Sequence, residues 1–160
     1  MDIDSILTPE RTVCSVDAKS KKRAIEYAAT HIVTHLPNMH LGEVYRGLLE
    51  RERLGTTGLG EGVAIPHCRL KSCTTIVGGL YVFDQGVDFA ALDDELVRIM
   101  FVLLVPESEN SEHLSTLALL AQSLQDPNYR QALIEAPTSE ALFEAAVSSK
   151  NQTNRSQNIQ

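Results

Sequence analysis

The chain of 160 residues has no tryptophan and only eight other aromatic residues, four tyrosines and four phenylalanines, so its core has to be aliphatic. Cysteine is also scarce. Cys14, Cys68 and Cys73 are too few, and odd in number, for a disulfide framework, which points to a reducing compartment and hence the cytoplasm. No apolar run approaches the roughly 18 residues of a membrane span. The longest, Val97 to Val105, has the length of a buried strand and carries Arg98. The N-terminal MDIDSILTPE is acidic where a secretory signal is basic, so the sequons at Asn151 and Asn154 read as chance matches. There is no basic block, and the net charge is −7. That balance disfavours general binding to nucleic acid or to an anionic membrane surface, and any anionic ligand must find a local cluster of donors.

What is present suits one layered domain. After Asp17, Ile25, Ala28, Ala29, Ile32, Val33 and Leu36 recur at helical spacing up to Pro37. Leu41, Val44, Tyr45, Leu48 and Leu49 mark a second amphipathic helix running toward Arg51. Thr75 to Phe83 and Val97 to Val105, rich in Val, Ile and Phe, read as strands separated by a turn region at Gly86. Asn110 or Ser111 can cap a helix striped by Leu114, Leu117, Ala118, Ala121 and Leu124. A short helix over Tyr129 to Ile134 and a last one from Thr138 or Ser139 follow. Helices on either side of a strand group predict a single α/β domain over 1–147, with 148–160 a polar, disordered tail.

Four of the nine glycines lie in GTTGLGEGVAIPH, Gly55 to His67. Positive φ at such residues can bring backbone N–H groups onto an anion. Neither familiar nucleotide loop fits: no Gly-Lys-Ser/Thr follows, and Val63 stands where the dinucleotide pattern needs its third glycine. Pro66 instead restrains the backbone entering His67. Imidazole, with an unperturbed pKa of about 6.5, offers a free lone pair at neutral pH. Taken alone, these residues still leave room for an inert histidine closing a buried strand.

The run from Arg51 to His67, RERLGTTGLGEGVAIPH, resembles the active-site signature of phosphotransferase-system enzyme IIA, fructose/mannitol class, and above all its nitrogen-regulatory branch. SKKRAIE near Ser20, FVLLVP at Phe101 to Pro106 and EHLSTL at Glu112 to Leu117 extend the likeness over about residues 5 to 147. The resemblance implies a mixed sheet of about five strands with helices on both faces. It also implies a phosphocarrier: His67 accepts a phosphoryl group, through Nε2, from a phosphohistidine on an HPr-like carrier of the NPr type, assisted by Arg51 and His113. Relatives of this kind dock to targets such as potassium-transport proteins and sensor kinases according to phosphorylation state.

Physical roles can be assigned beside that resemblance. A phosphoryl group adds about −1.5 to −2 charges, which Arg51 can offset with permanently charged donors, whereas Arg53 reads as a solvated helix end. His113, in the first turn of its helix, is disfavoured as a cation and can donate to a phosphoryl oxygen; it can equally be a packed histidine on the Leu117, Leu120, Leu124 face. Gly55, Thr56, Thr57 and Gly58 are candidates for a phosphoryl-binding loop. Transfer between imidazoles needs alignment and charge stabilisation, with no metal or nucleotide cofactor. His31 and His35 have metal-ligand spacing, but Ile32 stands where a zincin needs Glu, so they and His40 read as surface residues. Cys68 suggests oxidation-sensitive transfer. Three rivals stay open: a sugar-transport IIA serving a separate IIB, a binding module never phosphorylated, and a metal site from His67, Cys68 and His113.

Overall fold

The computed structural model describes residues 2–108 and 111–148. Two short 3-10 turns, Ile3–Ser5 and Pro9–Arg11, lead into strand β1 (Thr12–Val16). Helices α1 (Lys21–Thr34) and α2 (Leu41–Leu54) precede five further strands: β2 (Gly58–Gly60), β3 (Val63–Ala64), β4 (His67–Leu70), β5 (Val77–Val87) and β6 (Val97–Pro106). Helices α3 (Ser111–Gln125), α4 (Pro127–Glu135) and α5 (Ser139–Val147) complete the elements of the described residues. The strands form one mixed sheet in the order β1-β5-β6-β3-β2, with β4 also on β6. Among the described residues six strands thus stand where about five were expected, because the glycine run is itself strand-forming and β1 adds a parallel edge to β5.

The alternation of β5 and β6 divides the core into two layers. Tyr81, Phe83, Met100, Val102 and Leu104 face α1 and α2, while Leu80, Val82, Ile99, Phe101 and Leu103 face α3 to α5. Both faces are therefore covered by helices. α1 starts where Ser20 accepts a hydrogen bond from the Arg23 N–H at 3.2 Å, a cap worth about 1 kcal/mol. Its Ala24, Ile25, Ala28, Ala29 and Ile32 stripe is fully buried, and truncating Ile25 to alanine there costs about 2–5 kcal/mol. Thr138 caps α5 in the same way.

Two sequence expectations shift. β5 begins at Val77 and runs to Val87, so Gly86 lies inside a strand and the connection is 88–96. The cause is packing: a Cβ at Gly86 would stand 2.5 Å from the Leu96 Cβ, so the Leu96 side chain can lie across the strand only where there is none. The proposed cap Asn110 lies outside the described residues, as does the tail beyond Ser148.

Candidate functional site

The glycine run folds as a β-hairpin followed by a strand. β2 and β3 pair antiparallel, and Gly60, Glu61 and Gly62 turn the chain with φ of 90°, 58° and 78°. Glycine at the first and last of these positions removes the Cβ penalty of the left-handed region. β3 and β4 then pair parallel with β6 in one unbroken register, Val63 opposite Ile99, Ala64 opposite Met100, His67 opposite Leu103. Between them Pro66 has no N–H to give, yet its carbonyl still accepts from the Leu103 N–H at 2.9 Å. The pause before His67 is therefore a missing donor in a continuous strand.

His67 is half-buried, and its Nδ1 lies 2.8 Å from the Ile65 carbonyl. A carbonyl only accepts, so Nδ1 carries the proton and Nε2 keeps its lone pair. Burial lowers the imidazole pKa, the Ile65 carbonyl opposes that shift, and Arg51 lowers it further while Glu52 raises it. The ring is therefore held neutral. His113, in the first turn of α3, lies 5.6 Å from His67 between ring centroids. It is buried, and among the described residues neither of its ring nitrogens has a hydrogen-bond partner. Burial also lowers its pKa, with His67 and Arg69 adding to the effect. A buried polar group left without a partner costs about 1–3 kcal/mol, so this ring has hydrogen-bonding capacity to offer.

Arg51 sits in the last turn of α2 and donates from Nη1 to the Gly55 carbonyl at 3.0 Å. The structure thus brings His67, His113 and Arg51 to one place. The loop residues are used differently from expectation. The Gly55 N–H donates to the Glu52 carbonyl at 3.2 Å. The Thr57 N–H and hydroxyl both donate to the Glu52 carboxylate, at 2.9 and 2.6 Å. The Gly58 N–H donates to the Thr56 hydroxyl, which itself donates to the Phe89 carbonyl. The N–H groups of Gly55, Thr57 and Gly58 and both threonine hydroxyls are thus spent within the protein and give no support to an anion cradle built from them.

Glu52 is the residue that sequence reasoning missed. It is 6% exposed and pairs with Lys21 Nζ at 3.4 Å. An acidic residue in the last turn of a helix opposes the helix dipole, and that misfit was the available signal. Cys68 faces the other way. Its thiol lies on the α2 side, where a Cβ on Gly47 would meet Sγ at 3.0 Å, and burial pushes its pKa up to about 12. His67, Cys68 and His113 therefore do not converge, and among the described residues no three such side chains are placed to hold a metal. A buried, protonated thiol on the far face also removes the basis for oxidation-sensitive transfer.

The sequence model of the "Phosphoenolpyruvate-dependent sugar phosphotransferase system, EIIA 2" family matches residues 5–148. The chain belongs to this family. Within it, the chain falls with the nitrogen regulatory proteins. That of Pseudomonas aeruginosa is 42% identical over 149 residues, covering 93% of this chain and 97% of the relative. The crystal structure of IIA-Ntr from Neisseria meningitidis superposes with a TM-score of 0.83 at 33% identity, over 90% of this chain and 98% of that one. Mannitol IIA of Escherichia coli, solved in complex with phosphorylated IIB, gives a TM-score of 0.73 at 22% identity over 88% and 96% of the chains, a likeness of fold alone. No helix among the described residues of this EIIA-family chain is long and apolar enough to cross a membrane.

Proposed function

We propose that this EIIA-family chain is a cytoplasmic phosphocarrier of the nitrogen-regulatory type, with His67 as phosphoryl acceptor. The observation that carries the reading is the His67 Nδ1–H bond to the Ile65 carbonyl, which leaves Nε2 as the nucleophile. The donor is a phosphohistidine on an NPr-like carrier. The Nε2 lone pair forms the new P–N bond in line as the P–N bond to the donor imidazole breaks, and the departing ring keeps that electron pair. No proton moves in the step and no metal or nucleotide is needed.

His113 supplies an N–H to a phosphoryl oxygen, which satisfies a ring otherwise without a partner. The N-terminal end of α3, whose first turn carries that ring, adds its positive dipole. Arg51 offsets the new charge from the other side. Leu54 and Leu114, 85% and 65% exposed at the ends of α2 and α3 that carry these residues, provide apolar contact for a small transient interface of about 1,200 Å² or less. Phosphorylation adds a near-dianion at that rim, and targets such as potassium-transport or sensor-kinase proteins are held or released by it. Sugar transport through a separate IIB is the second reading, supported by the description of the family and by the fold likeness to the mannitol protein. Incubation with phosphoenolpyruvate, enzyme I and an NPr-like carrier should give an acid-labile, alkali-stable adduct on His67. Failure to label with cognate donors refutes the reading.

A further inference from the structure

We infer that Glu52 is a positioning residue for the acceptor imidazole, acting through Thr57 and the Ile65 peptide group; the inference rests on His67 being that acceptor. A continuous chain of hydrogen bonds carries it. The Glu52 carboxylate receives both the N–H and the hydroxyl of Thr57. The Thr57 carbonyl accepts from the Ile65 N–H at 3.1 Å. The Ile65 carbonyl in turn accepts from His67 Nδ1 at 2.8 Å. Each link is a backbone group or a short side chain, so little slack accumulates between the carboxylate and the ring.

The anchor itself is firm. Glu52 and Thr57 are 6% and 3% exposed, and Lys21, the first residue of α1, balances the carboxylate at 3.4 Å. A buried charge of this kind is retained at a cost, and replacement by apolar packing is often neutral or better for stability. Its use here is geometric: the hairpin that begins at Gly58 has its entry pinned to α2, and the peptide that selects the His67 tautomer is pinned to that entry. The adjacent Arg51 and Glu52 thus divide the work, Arg51 facing the incoming charge and Glu52 holding the frame.

The test uses the full chain with ¹⁵N-labelled histidine and two readouts, the His67 tautomer by NMR and the rate of phosphoryl transfer from the NPr-like carrier. Glu52→Gln should move His67 from the pure Nδ1–H form toward a mixture of tautomers, lower its titration midpoint, and slow transfer about 10-fold to 100-fold, the scale of a small misplacement. Thr57→Val should do the same with Glu52 intact, and Thr57→Ser, which restores the hydroxyl, should recover the tautomer and most of the rate. Folded Glu52→Gln or Thr57→Val protein with unchanged tautomer and rate overturns the inference; if Glu52→Gln fails to fold, Thr57→Val decides. Should the wild-type chain take no phosphate at all, the acceptor reading falls, while the tautomer measurement still reports whether Glu52 positions the ring.

Discussion

Two pairs of imidazoles stand close together in this molecule, and only one lies in the candidate site. His31 and His35, one turn apart on α1, have ring centroids 4.8 Å apart, nearer than the 5.6 Å of His67 and His113. Yet the first pair is at rest. His31 Nδ1 meets the Tyr81 hydroxyl at 2.9 Å, His35 Nδ1 donates to the His31 carbonyl at 3.0 Å, and Tyr27 stacks on His31. The second pair comes from β4 and α3, and one of its rings, His113, is buried with neither nitrogen partnered among the described residues. Proximity of histidines is cheap on a helix. Unspent bonding capacity in a buried place is what marks chemistry.

That contrast can be broken most directly by deletion. His67→Ala should abolish acid-labile labelling, whereas His31→Ala should label at close to the wild-type rate, as read by intact mass. A finer cut separates stability from transfer. His113→Leu should slow transfer by about 100-fold, the usual loss for one preorganised donor, while raising unfolding free energy by about 1 kcal/mol because an unpaired buried group is removed. His31→Phe should do the reverse, costing about 1–2 kcal/mol through the orphaned Tyr81 hydroxyl with no change in transfer; urea unfolding and a transfer assay on the same samples check both.

Arg51→Ala should slow transfer by about tenfold, a modest loss because a partly exposed guanidinium is screened by solvent. Raising the salt concentration should shrink the gap between the variant and wild type. The smallest effect is on stability with pH. Burial lowers the pKa of His31, His67 and His113 in the folded state. The unfolded chain therefore binds protons first as pH falls. Stability present above the unfolded value of about 6.5 is lost as pH falls toward the lowered folded values. Unfolding at pH 7.5 and 5.5 should show that drop, and His113→Leu should reduce it.

Much of this was readable from the residues. The two N-terminal helices follow from the spacing of Ile25, Ala28, Ala29, Ile32 and of Val44, Leu48, because one buried stripe against a sheet imposes a helical period. The strands around Tyr81 and Phe101 follow from continuous apolar runs buried on both faces. β1 escaped because five residues at a sheet edge, paired in parallel with a distant strand, carry little local signal. The glycine run escaped in another way. Its composition suggested an anion loop, but the partners of Thr57 and Gly58 lie in α2 and in Thr56, and pairing of that kind is settled only when the hairpin closes. The grouping of Arg51, His67 and His113 was suggested by the family likeness. Glu52, standing between two arginines, was hidden by the ordinary look of a charged helix end.

The unbroken register of β3, Pro66 and β4 along β6 has a mechanical consequence. β6 is buried along nearly its whole length, so the ring proposed as acceptor is mounted beside a tightly packed strand. On the proposed reading, a phosphoryl group there meets a strand held in register along β6. Whatever reads its presence must sense it as altered charge and shape at the rim, much as a key blank is read by its teeth while the shank stays unchanged.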